Sequence, residues 1–150
     1  MKKYNKSESG RSMVEMIGVL SVMGLITAGA FALISYGMAS HRISRANDDV
    51  ANIAENVRAL FAESANYNNL PSTYLAGTTL LDAMSLTTTT PFGSSTTYSV
   101  IQDSENSKGF VVVLNGLNAN MCSVLANRAW VGSTGVSCDE SNVLHISFSN

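Results

Sequence analysis

The sequence predicts an α+β fold, in which a long N-terminal helical spine packs on a small antiparallel β-sheet head that carries a short helix and one disulfide. Three observations predict it. Residues Met16 to Ala39 form a run of 24 without Asp, Glu, Lys, Arg or His. Apolar positions then recur at helical spacing from Ile43 to Leu60, and beyond Tyr67 short apolar runs alternate with turn residues. With the apolar run set aside, the 150-residue chain leaves room for one small core and no more. The boundaries expected are 1–10 ahead of the helix, 11–66 for the helix, with 16–39 spanning a membrane, and 67–150 for the head.

The apolar run is long enough as a helix to cross a hydrocarbon core of about 30 Å. Lys2, Lys3, Lys6 and Arg11 precede it, whereas Arg42 and Arg45 after it are accompanied by Asp48 and Asp49. That bias keeps the N-terminus in the cytoplasm and exports the rest. An ordinary secretory signal would have an apolar core of about 7 to 15 residues, with Gly37-Met38-Ala39 as its cut; the run here is longer and opens beside Glu15. An uncut signal anchor accounts for the length but not for the residues in front of it.

Past the membrane segment, Ile43, Ala46, Val50, Ile53, Val57 and Leu60 follow one another at steps of three and four, with Arg42, Arg45, Asp49, Glu55 and Arg58 on the other faces. One unbroken helix from about Ser12 to Ala65 would be roughly 80 Å long and would bury its second half in the head. A dimerisation zipper is the alternative, and Ala46 and the short run of heptads disfavour it. Gly18, Gly24, Gly29 and Gly37 interrupt the apolar half. Each costs about 1 kcal/mol relative to Ala, which suits either close helix packing in lipid or local melting between Gly24 and Gly29.

In the head, Leu80, Leu81, Met84 and Leu86 fit one or two helical turns, and the Ser/Thr-rich stretch around Pro91-Phe92-Gly93 reads as a surface loop. Tyr98–Gln102 and Gly109–Asn115 read as strands, the second apolar on both faces and therefore central. Asn118 caps a helix through Arg128 that places Cys122, Leu125, Ala126 and Ala129 on one face. Val143 to Ser149 alternates, with Leu144, Ile146 and Phe148 inward and His145 and Ser147 outward. Cys122 and Cys138 stand 16 positions apart with no CxxC and no neighbouring His, so in an exported head they read as a disulfide; two unrelated thiols would suit a cytosolic protein.

The formal net charge is −2, and a chain beginning at Arg11 keeps six Lys/Arg against ten Asp/Glu. No basic stripe is present, which argues against nucleic acid as a partner. His41 and His145 are the only histidines, and spacing nominates no Ser/His/acid set, metal cluster or phosphate-binding glycine loop. No catalytic residue, cofactor or metal is expected, and the chain reads as a non-enzyme.

The residues before the apolar run are Ser9-Gly10-Arg11-Ser12-Met13-Val14-Glu15-Met16. They resemble the junction of type IV prepilins, which have a short basic leader ending in Gly, a cut directly after it, and a Glu at the fifth mature residue before an apolar helix. The resemblance covers the N-terminal segment, with Gly10 matching the residue before the cut and Glu15 the acid. It implies a fimbrial or pilus subunit that a prepilin peptidase cleaves between Gly10 and Arg11. The new Arg11 amine would be neutralised by Glu15 of an adjacent copy, and other copies of the chain, the inner-membrane assembly machinery and membrane lipid would be its partners. Such a pair is worth roughly 4 kcal/mol before desolvation, at an effective dielectric near 20. The family's N-methylation would fall on Arg11, which is cationic where members usually begin with an apolar residue. In the head, the Pro-Phe-Gly turn and the pairing of a helical Cys with a C-terminal one resemble the type IVb branch. A minor pilin or a type II secretion pseudopilin would share the leader and the Glu; a signal-anchored exported binding protein would need neither. The resemblance places the precursor in the bacterial cytoplasmic membrane and the mature chain in an extracellular filament, with adhesion among the roles open to it.

Overall fold

In a computed structural model, residues 13–149 are described, and the chain divides between Ser40 and His41 into two units. Helix α1 (Met13–Leu60) begins in the first unit. There it is helical throughout, and every side chain from Met13 to Ser40 is exposed. The hydroxyls of Ser21, Thr27 and Ser35 donate back to the carbonyls of Ile17, Met23 and Phe31 at 2.7–3.0 Å, which satisfies them without water. Between Gly24 and Gly29, where a melted stretch was one expectation, the helix of the single chain is unbroken.

In the second unit α1 is a core element. Ala46, Val50, Ile53 and Val57 are buried as the stripe predicts, and Ala54 joins them. Leu60 does not follow the stripe: it is 57% exposed, and the helix ends there rather than near Ala65. Just past the helix end Phe61 packs on Tyr67, with ring centroids 5.3 Å apart and ring planes tilted by 46°. Tyr67 in turn packs on Phe110 and is itself buried.

Helix α2 (Tyr74–Ala83) starts six residues before the apolar pattern at Leu80. Strands β1 (Thr97–Gln102) and β2 (Gly109–Asn115), helix α3 (Ala119–Ala126), β3 (Gly135–Cys138) and β4 (Leu144–Ser149) follow. The sheet is antiparallel in the order β1-β2-β4-β3, so β2 is interior, as its apolar run requires. β1 pairs Thr97 with Asn115 and Gln102 with Phe110; β4 pairs Leu144 with Leu114 and Phe148 with Phe110. This register puts Phe110, Val112 and Leu114 into one core cluster with α1, Ile146 and Phe148, and Val111 and Val113 into a second with Val143. Arg58 of α1 lies 5.5 Å from the Phe148 ring centroid and 6.0 Å from that of Phe110. These distances place its guanidinium in cation–π range of both rings.

Three further expectations need correction. The strands expected are three, at Tyr98–Gln102, Gly109–Asn115 and Val143–Ser149; β3, which carries no apolar alternation, is a fourth, and its backbone completes the sheet beside β4. Helix α3 ends at Ala126 rather than Arg128, and Ala129 is exposed; the side chain buried there is Trp130, whose Nε1 donates to the Leu125 carbonyl at 3.1 Å. The Thr-rich stretch is not all surface, because Thr90 and Thr96 are buried and their hydroxyls bond each other.

Candidate functional site

The junction residues Gly10 and Arg11 lie outside the described residues. Glu15 lies inside them, in the first turn of α1, with an exposed side chain. The residues that follow it are long and apolar enough to cross a membrane. Met16 through Ala39 rise about 36 Å along a helix, against a hydrocarbon core of about 30 Å.

Cys122 and Cys138 form a disulfide with Cα atoms 6.0 Å apart. Asn118 sets up the helical partner by accepting the Met121 N–H at 2.8 Å as the N-cap of α3. Leu125 and Cys122 are the buried face of that helix. The bridge ties α3 to the outer strand β3, which has only four residues of pairing. The Pro91-Phe92-Gly93 turn is held by Thr96, whose Oγ1 donates to the Gly93 carbonyl at 2.7 Å. Gly116 lets the chain pass under this loop: its φ is +80°, and a Cβ there would run into the Ser95 carbonyl.

Two titratable clusters emerge that sequence spacing did not disclose. His145, expected as a solvated strand residue, has its Nε2 3.5 Å from Asp139 Oδ2. Asp139 Oδ1 accepts the N–H groups of Val143 (2.8 Å) and Ser141 (2.9 Å). The Val143 N–H above all holds the carboxyl below its ordinary value of 3.8; burial is the next influence and opposes it, and His145 and Ser141 add to the lowering. This is a turn lock: among the described residues no serine or threonine hydroxyl bonds His145, and no cluster of three metal-ligating side chains exists. The second cluster is Asp49 and Tyr98. The Tyr98 hydroxyl, fully buried, donates to Asp49 Oδ2 at 3.4 Å. Burial pushes the Asp49 carboxyl up, opposed by that hydrogen bond and by Arg45 nearby, while Asp48 adds to the rise. Burial and the facing carboxylate together raise the Tyr98 hydroxyl. The only sequence signal for this pair is Asp49 standing one position before Val50 of the buried stripe.

Comparison with known proteins adds no family to this geometry: no family model, no curated protein and no solved structure matches the chain.

Proposed function

We propose that the chain is a type IV pilin-like structural subunit, cleaved after Gly10 and polymerised through its N-terminal helix. One observation carries the reading: α1 is a single helix whose first part presents only exposed, largely apolar side chains and whose second part is built into the head's core. A plain membrane anchor needs the first property but not the second, since a linker would serve it. A filament subunit needs both, because the helix that leaves the lipid must carry the head with it.

The residues divide the work as follows. The apolar segment holds the precursor in the bilayer with the head exported. Cleavage before Arg11 removes three lysines and creates a terminal amine. Glu15 of a neighbouring copy takes that amine as its counter-charge, and the helix exchanges lipid contacts for contacts with other helices. A wrong axial offset leaves the carboxylate unpaired in an apolar surrounding, which is what makes the pair select a register.

N-terminal sequencing of the mature protein tests the cut. A terminus at Arg11 supports the reading, whereas Ser40 or an intact Met1 overturns it in favour of a secreted or signal-anchored binding protein. Glu15→Ala is expected to leave the protein folded and inserted while lowering the yield of sheared filaments by at least about tenfold, as loss of roughly 1.4 kcal/mol per subunit contact implies. Normal filaments from that variant would sink the register argument.

A further inference from the structure

The two halves of the disulfide stand in different surroundings. Cys122 is fully buried, on the face of α3 that it shares with Leu125. Cys138 is exposed, at the end of β3. The strand gives it little cover: Gly135 and Ser137 are exposed as well, Val136 is half-buried, and β4 is its one neighbour in the sheet. Asp139 and Glu140, which follow, are also exposed. Thiol–disulfide exchange requires a thiolate to reach one of the two sulfurs, so access decides which is attacked. Approach to Cys122 runs through the core cluster packed around it, whereas approach to Cys138 comes from solvent.

We propose that Cys138 is a thiol-exchange site, the sulfur at which an external dithiol opens the bridge and its oxidised form closes it, with Cys122 the resolving thiol held in the core. The inference concerns the head alone and does not depend on cleavage, membrane insertion or filament assembly.

Opening takes two steps. A thiolate of the dithiol attacks Cys138 Sγ; the bond between the two protein sulfurs breaks, a mixed disulfide forms on Cys138, and the electron pair leaves on Cys122, which takes up the proton the attacking thiol gave up. The second thiol of the same molecule then attacks the reagent's own sulfur, frees Cys138 as a thiol and departs as a disulfide. Two electrons and two protons pass from the dithiol to the protein. A monothiol stalls after the first step. Cys122, whose Cα lies 6.0 Å from that of Cys138, is placed to attack the mixed disulfide and expel the reagent. That return is intramolecular, while a second monothiol has to arrive by diffusion.

Burial keeps the two thiols in separate roles. An apolar surrounding favours the neutral thiol and excludes outside reagents, so Cys122 reacts with the neighbour it is held against and otherwise packs as a small apolar side chain. Helix α3 retains its other anchors when the bridge opens: the Asn118 cap, buried Leu125, and the Trp130 Nε1 bond to the Leu125 carbonyl. Cys122 therefore stays seated while Cys138 is left free at the surface.

Two single variants of the full, detergent-solubilised chain test the assignment, and they are matched because each lacks the same bridge. Cys122→Ser leaves Cys138, and Cys138→Ser leaves Cys122. Each is treated with cystamine, and the mixed disulfide is followed by intact mass while Trp130 emission reports the fold. Cys138 is expected to react about a hundredfold faster than Cys122, the protection that an opening of about 2.8 kcal/mol gives. In urea the two rates should converge to within about threefold. The wild-type chain is then treated with dithiothreitol or, at equal thiol concentration, 2-mercaptoethanol, trapped with limiting iodoacetamide and mapped by peptide mass. The dithiol should open the folded bridge at least about tenfold faster, and the first alkylation should fall on Cys138. Equal rates in the folded variants, or a first label on Cys122, overturns the site. So does a wild-type bridge that dithiothreitol opens only in urea. Equal opening by the two reagents overturns the resolving role of Cys122. Should either variant lose its native Trp130 emission, the wild-type alkylation decides, since it needs no substitution.

Discussion

Replacing Gly77 with alanine is expected to pry α2 off the sheet. A Cβ at Gly77 would stand 2.8 Å from the Val100 nitrogen and 3.0 Å from its carbonyl carbon, and closer still to its oxygen. These are backbone atoms of β1 and cannot swing aside. Ordinary contact begins near 3.4 Å, so α2 must retreat by at least about 0.6 Å. That retreat loosens Leu81, the fully buried side chain of α2. Overpacking of this kind costs about 1–3 kcal/mol, and alanine's better helix propensity returns at most about 1. With the loss at Leu81 added, a net destabilisation of about 2 kcal/mol is expected, or a fall in Tm of about 8 °C for a head of this size. Thermal unfolding of the detergent-solubilised chain, followed by the emission of buried Trp130, measures it. Gly135→Ala is the matched comparison, because a Cβ at Gly135 meets nothing within 4 Å. A Gly77→Ala chain that melts with the wild type would refute the close approach of α2 to β1.

Two further outcomes follow from the same core. Replacing Cys122 and Cys138 together with serine, or reducing the bridge, should lower head stability by roughly 3 kcal/mol, the chain-entropy value for a loop closed over 16 positions; denaturant titration with and without reductant reads this, and a midpoint indifferent to reductant would contradict it. Asp139→Asn should destabilise the chain at neutral pH and match it in acid. The folded carboxyl titrates below its ordinary 3.8, so its contribution is complete above that value and disappears as pH falls through the lower folded one. Urea midpoints across that window test the sign, and a difference that grows in acid would reverse the assignment.

Much of the architecture was legible because it is written in periodicity. Val50, Ile53 and Val57 recur at helical spacing, Leu144, Ile146 and Phe148 at strand spacing, and both patterns end up in one cluster. Asn118 was legible as a cap because its side chain competes for a backbone N–H in a way few residues do. What escaped is governed by tertiary context. β3 is a strand through its neighbour β4 and not through its own side chains, most of which are exposed. Leu60 fits the stripe but is the last residue of α1, beside the packed pair Phe61 and Tyr67, and its periodicity finds no partner surface. The cleft that Arg45 and Asp49 line was unreadable for another reason: its far wall is a threonine loop some 40 positions away, brought close by pairing such as that of the Tyr98 N–H with the Thr88 carbonyl.

The interior place of β4 bears on when the head can form. The last strand in chain order lies between β2 and β3 and supplies Leu144, Ile146 and Phe148 to the core. Until it arrives, β2 has an open edge, β3 has nothing to pair with, and the Phe110 ring lacks its stacking partner Phe148 at 5.2 Å. The pairing of β1 with β2 and of β3 with β4 is local in sequence, whereas that of β2 with β4 is long-range and is the step that unites the sheet. By this ordering the β1–β2 and β3–β4 hairpins can form separately, and the sheet closes only when β4 docks on β2 and joins them.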